Sequence, residues 1–199
     1  MVYSYIRKLI YPYKIVLSYI NKNSKILDIG CGNGNILNDI KELNFLLYTG
    51  IDPKIKTNYK NKNVSLLNDK LENYINHISK YDCILMIDVM HHINKNNQEK
   101  LITNILQNMK VNSILIYKDI SNRNFFYALM NRFHDFVFNF QIIHYLDSKK
   151  ILEISNNINN TFIINHFYKR ILWYDHEFLI IRKWIYYIGI KLWMKKEFY

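Results

Sequence analysis

A doubly wound α/β fold is what this sequence predicts, on three observations. The apolar run Ile26-Leu27-Asp28-Ile29 has the length of a short buried strand, and it breaks at once into Gly30, Gly32 and Gly34. Past these glycines Ile36, Leu37, Ile40 and Leu43 recur at helical spacing, so a strand runs through a glycine turn into a helix. A second apolar strand, Leu46 to Ile51, then ends in Asp52, about twenty residues after the turn, the interval expected of an acid that accepts hydrogen bonds from a ribose diol.

The elements follow in order. Val2 to Ile20 carries Ile6, Leu9, Ile10, Tyr13 and Leu17 on one face, an amphipathic helix with Pro12 as a break, and residues 1–20 are read as a helical cap. In the turn, the G-x-G-x-G spacing differs from the G-x-G-x-x-G of dinucleotide binders. The segment Ile26 to Gly34 resembles motif I of the class I S-adenosylmethionine-dependent methyltransferases, and the resemblance extends over about residues 20–185. It implies a Rossmann-like sheet, mostly parallel with an antiparallel final strand. It also implies S-adenosylmethionine as cofactor, with Asp28, Gly30, Cys31, Gly32, Asn33 and Gly34 around its methionine portion and Asp52 and Pro53 at the ribose.

The third strand, Asn63 to Leu67, leads to Asn68 and Asp69. In the family an acid here contacts the adenine, so Asp69 is the first match and Asn68 the second. Asp69 is also placed to cap a helix starting near Leu71. Tyr81 to Asp88 reads as a central parallel strand, apolar almost throughout. Asp88-Val89-Met90-His91-His92-Ile93 resembles motif IV and its continuation, which implies Asp88 and Val89 at the cofactor and His92 beside the transferring methyl. The Pro-Pro-aromatic element of DNA-amine methyltransferases is missing from this stretch.

Gln98 to Met109 follows as a helix and Ser113 to Asp119 as a strand, with Val111-Asn112 where the family carries Pro-Gly; Asn tolerates the positive φ such a turn needs. Asn124 to Leu146 repeats Phe126, Leu129, Met130, Phe133, Val137 and Phe140 at helical spacing, while Asn131, His134 and Asp135 share another face. By resemblance, residues 121–147 are a helical substrate lid, and His134 beside Asp135 has the makings of a general base. After a helix from Ser148 to Ile158, Phe162 to Lys169 and Glu177 to Lys183 read as the terminal antiparallel hairpin. If its first strand is parallel to the rest, Tyr174 and His176 face the ligand edge. Residues 184–199 form a basic aromatic tail.

At 199 residues the chain suits one methyltransferase domain, 1–199, and a composition that is 50% hydrophobic is that of a globular protein. The net charge of +11 points to an acidic carrier protein, an anionic membrane surface or nucleic acid; the joint excess of Asn, Lys, Ile, Tyr and Phe is also what an AT-rich genome produces. Cys31 and Cys83 make neither a disulfide framework nor a metal set, so no metal is expected. With no run of roughly eighteen apolar residues, the expectation is a cytoplasmic protein, peripheral to the inner face of the membrane if the tail touches lipid.

Taken together, the resemblance implies methyl transfer to a small-molecule, lipid-like or carrier-bound acyl or aromatic acceptor, at oxygen. His134, His176 and His92, in that order, are the candidates for the base. The other readings are an RNA methyltransferase and a non-catalytic binding protein that keeps the fold.

Overall fold

Strand follows helix along the chain of the computed structural model, which describes residues 12–121, 123, 124, 129, 144–172 and 174–184. The strands are β1 (Lys25–Ile29), β2 (Leu47–Ile51), β3 (Tyr59–Lys60), β4 (Val64–Leu67), β5 (Cys83–Ile87), β6 (Ile114–Ile120), β7 (Thr161–Ile171) and β8 (Tyr174–Lys183). The helices are α1 (Tyr13–Ser18), α2 (Leu37–Ile40), α3 (Leu71–Tyr74), α4 (Lys95–Asn108) and α5 (Ser148–Asn157). All eight strands join one sheet in the order β3-β4-β2-β1-β5-β6-β8-β7. Pairing is parallel from β4 through β6, and antiparallel for β3 on β4, β8 on β6 and β7 on β8.

The central strands are apolar on both faces because helices cover both. Ile84 and Met86 of β5, with Leu179 and Ile181 of β8, pack under α4 and α5 in one core layer. Cys83, Leu85, Phe178 and Ile180, the alternate residues, fall in the opposite layer with Val16, Ile36 and Ile40. At roughly 25 cal/mol per Å² of apolar surface, side chains such as these supply most of the drive to fold.

Some boundaries differ from the sequence reading. The helix after the glycine turn is only four residues, continued by a 3₁₀ turn over Lys41–Leu43. Asn94 caps α4 by accepting from Asn96 N, so that helix starts before Gln98. Pro12 stands immediately before α1, and residues 1–11 lie outside the described set. Asn112 takes φ +65°, so it makes the turn that the family's glycine makes. β3 was not foreseen: two exposed residues offer no alternation to detect. Among the described residues, no helix is long and apolar enough to cross a membrane.

Candidate active site

The glycine turn is pinned to the end of β2. Gly30 N and Cys31 N both donate to Ile51 O, at 2.8 and 3.3 Å. Gly30 holds φ +70°, and a Cβ there would lie 2.3 Å from Val89 Cγ2, so the loop closes on the segment after β5 only because no side chain intervenes. Gly32 differs: at φ +55°, its Cβ would meet nothing nearer than Asn35 Nδ2 at 4.0 Å, so the space over it is open. Asp52 braces this turn. Its Oδ2 accepts from Gly32 N at 2.9 Å and its Oδ1 from Lys54 N at 2.7 Å. Each oxygen then has a second lone pair for a hydroxyl donor.

Two clefts meet at Gly30. One, of about 270 Å³, is walled by Ile51, Pro53, Leu71 and Val89, with Asp69 and His92 as polar groups. The other is about 30 Å³ and is bounded by Tyr13, Asp28, Cys31 and Ile87. Asp28 is buried in β1 and accepts from the Tyr48 hydroxyl at 2.5 Å. Burial pushes its carboxyl up to about 7, against the pull of Tyr48 and with help from the nearby Asp52 charge. Burial and the same two carboxylates push the Cys31 thiol up, so it stays protonated and is no nucleophile.

Charged side chains gather at the carboxyl ends of β5 and β6. Lys118 Nζ donates to both oxygens of Asp88, at 2.6 and 2.7 Å. Asp88 itself has φ +54°, and its N donates to Lys118 O. Burial opposes ionisation of Asp88, but Lys118 and the imidazoles of His91 and His176 outweigh it and hold the carboxyl below its ordinary range. His91 Nδ1 lies 2.5 Å from Asp119 Oδ1, and His91 N donates to Asp119 Oδ2. Asp88, His91 and Asp119 offer three ligand atoms within 4.8 Å of one another, a spacing that a metal ion can share. Here the Lys118 ammonium and the His91–Asp119 hydrogen bond engage those atoms instead.

A methyltransferase-domain family model matches residues 4–160, well over half the chain. The chain belongs to that family. It is an S-adenosylmethionine-dependent methyltransferase. No curated protein matches it, but solved structures share its fold. An S-adenosylmethionine-dependent methyltransferase from Methanosarcina mazei is 16% identical with a TM-score of 0.65, over 88% of this chain and 99% of that one. One from Archaeoglobus fulgidus is 14% identical, also at 0.65, over 91% and 99%. The 1,6-didemethyltoxoflavin-N1-methyltransferase of Burkholderia thailandensis, solved with 1,6-didemethyltoxoflavin and S-adenosylhomocysteine, is 11% identical at 0.63, over 89% and 79%.

The methyltransferase's residues fit the cofactor in kind: open space stands over Gly32, two clefts join at one glycine, and the turn between them is flanked by Asp28 and braced by Asp52, carboxylates of the type a diol and an ammonium require as acceptors. Of the residues singled out in the sequence, Asp28, Gly30, Cys31, Pro53, Asp69, Val89 and His92 line these clefts. Asp69 Oδ1 also accepts from Lys70 N and Asn73 Nδ2 at the start of α3. Asn68 is committed elsewhere, its side chain donating to Ile55 O. Asn33 is exposed and Gly34 buried. His176 is buried on β8 opposite Ile120, at the same edge as Asp88, whereas His92 is exposed and lines the larger cleft, its ring 4.1 Å from that of His91. His134, Asn131 and Asp135 lie outside the described residues. Sequence reasoning passed over Tyr48 and Lys118; it reached His91 and Asp119 separately, in the motif IV continuation and at the end of a strand, but not their pairing. A buried carboxylate in an apolar strand needs a donor on the next strand, and that rule would have led to Tyr48.

Proposed function

We propose that this methyltransferase methylates an oxygen of a small-molecule, lipid-like or carrier-bound acyl or aromatic acceptor. What supports oxygen is the company of imidazoles and carboxylates at one sheet edge: His91 with Asp119, and His176, both close enough to Asp88 to draw its carboxyl down. A hydroxyl must lose its proton as the new bond forms, and imidazole is the side chain suited to take one near neutral pH. His176 is our first candidate and His134 the second; His92, on the larger cleft, is better suited to contact the cofactor.

S-adenosylmethionine, when bound, supplies a methyl group already activated by its sulfonium, so the chain's work is orientation and proton removal. Asp52 is assigned to the ribose hydroxyls with Pro53 beside it, Asp69 to the adenine with Asn68 adjacent, and Val89 to the cofactor from the wall of the larger cleft. Gly30, Cys31, Gly32, Asn33 and Gly34 leave room for the methionine portion, Asp28 meets its charge, and Asp88 faces the acceptor side.

Calorimetric titration with S-adenosylmethionine and its demethylated product tests the cofactor assignment. Asp52→Ala removes two braces and the diol acceptor together, so affinity drops more than about tenfold. Folded wild type that binds neither ligand refutes the assignment. For the acceptor, His176→Ala retains cofactor affinity and loses turnover on hydroxyl compounds; products methylated at nitrogen or carbon refute the oxygen reading. A second reading, RNA as acceptor, is favoured by the basic segment Lys54, Lys56, Lys60 and Lys62, all exposed, which starts just after Asp52 and runs along the edge strand β3 into the turn before β4.

A further inference from the structure

Asp28 has an unusual setting for a carboxylate. Its register partner on β2 is Gly50, so on that side no side chain stands directly across from it, while Leu85 of β5 flanks it on the other. Two residues back on the same face of β2, the fully buried Tyr48 reaches it instead, hydroxyl to carboxylate, at 2.5 Å. The other titratable groups around Asp28 are Cys31 in the glycine turn, Cys83 on β5, Asp52 after β2 and Tyr13 of α1, which borders the same small cleft. Burial keeps both thiols protonated, and burial beside Asp28 keeps the Tyr48 phenol protonated. Asp52 is a carboxylate and adds repulsion. The Tyr48 hydroxyl donates to Asp28 from within the core.

We infer that Tyr48 is a positioning residue for the cofactor's charged end: its hydroxyl favours the ionised form of Asp28 and aims it into the cleft beside Gly30 and Cys31, where a bound ammonium meets a full carboxylate. This rests on the assignment of that cleft to the methionine portion. The sequence logic is economical, because a phenol donates one hydrogen bond from an apolar body and so serves a buried anion without adding a second charge to the core. With its carboxyl near 7, Asp28 sits where the presence or absence of one donor changes the fraction ionised at neutral pH.

The test is Tyr48→Phe, which keeps the ring and removes only the donor. Carboxyl carbon NMR of the ligand-free protein should show the Asp28 midpoint rising by about one pH unit, since a lost donor to the charged form weakens that form. Affinity for S-adenosylmethionine should fall about tenfold at pH 6 and about twofold at pH 8, because the ionised fraction recovers at higher pH. The ligand's own amine titrates identically against both proteins and cancels in the ratio. Affinity for 5′-methylthioadenosine, which lacks the amino-acid portion, should not change. A midpoint that stays put or moves down overturns the inference, since Tyr48 would then not be supporting the ionised form. So does an equal loss for both ligands, which marks Tyr48 as packing alone. If folded wild type binds neither ligand, the cleft assignment fails and the inference falls with it, whereas a failure confined to Tyr48→Phe leaves that assignment standing.

Discussion

Asp28 is 3% exposed within a strand whose neighbours are aliphatic, and its carboxyl is raised from 3.8 to about 7. A raised acid binds its proton more tightly folded than unfolded. Between about pH 4 and pH 7 the unfolded chain therefore releases the proton first, and stability falls as pH rises through that window. By pH 8 the full cost is on the order of 4 kcal/mol. Asp28→Asn removes the charge and keeps an acceptor for Tyr48. Urea denaturation should find the variant about 2–4 kcal/mol more stable than wild type at pH 8, with the gain vanishing near pH 4. The same variant should bind S-adenosylmethionine less well at pH 8. A stability difference that is flat with pH would mean that Asp28 is ionised at no such cost. Asp88 has the opposite sign: its depressed carboxyl adds stability that is present above the ordinary carboxylate range and is lost only as pH falls below it.

Elements meet through a few polar contacts set among the apolar ones. β5 and β6 are joined at their carboxyl ends by Lys118 and Asp88, with the lysine side chain only 1% exposed. Lys118→Met should cost about 1–3 kcal/mol, because it leaves a carboxylate without its cation while Asp88, 25% exposed, keeps some contact with water. Lys118→Met with Asp88→Asn should recover most of that, since a buried pair replaced whole is often close to neutral. Thermal or urea melts of the two singles and the double decide it; a double as unstable as Lys118→Met alone would show that Lys118 serves packing and not charge. Buried Gln98 of α4 makes a comparable link, its Nε2 donating to Met90 O and His144 O, which ties the turn after β5 to the segment before α5. None of these links was legible in the sequence, because Lys118–Asp88 and Gln98–His144 join residues far apart in the chain and Gln98–Met90 crosses a turn with no periodic signal. The elements themselves were legible. β1, β2, β5 and β6 announce themselves as apolar runs, and Asp52 follows the glycine turn at the interval a ribose acid requires. The four-residue α2 was overestimated because Ile36 to Leu43 keeps a helical period even where the chain tightens into a 3₁₀ turn. At the site, the cleft-lining residues were found through motif spacing, and Tyr48 was missed because a tyrosine in a strand reads as core.

Over the whole molecule, charge is distributed unevenly. Between Asp52 and Asp69 there is no acid, while Lys54, Lys56, Lys60 and Lys62 are all exposed, with Tyr59 half-exposed among them on the edge strand β3. Lysines on an edge strand discourage pairing with another chain, and that alone would justify Lys60. It does not account for Lys54 and Lys56, which belong to the loop before the strand. With a net charge of +11, the chain should bind single-stranded RNA weakly and without sequence preference at low salt. If this segment carries the binding, changing its four lysines to glutamine lowers the slope of log affinity against log salt by roughly 3. Fluorescence anisotropy with a labelled oligonucleotide across a salt series reads that slope, and calorimetry of the same variant should return an unchanged affinity for S-adenosylmethionine. An unchanged slope would place the anionic contact elsewhere and leave the lysines as guardians of the sheet edge. The expected drop, together with methylation of small hydroxyl acceptors at wild-type rates, would separate an electrostatic side effect from the chemistry. Loss of methylation along with RNA binding would move the acceptor from small molecules to RNA.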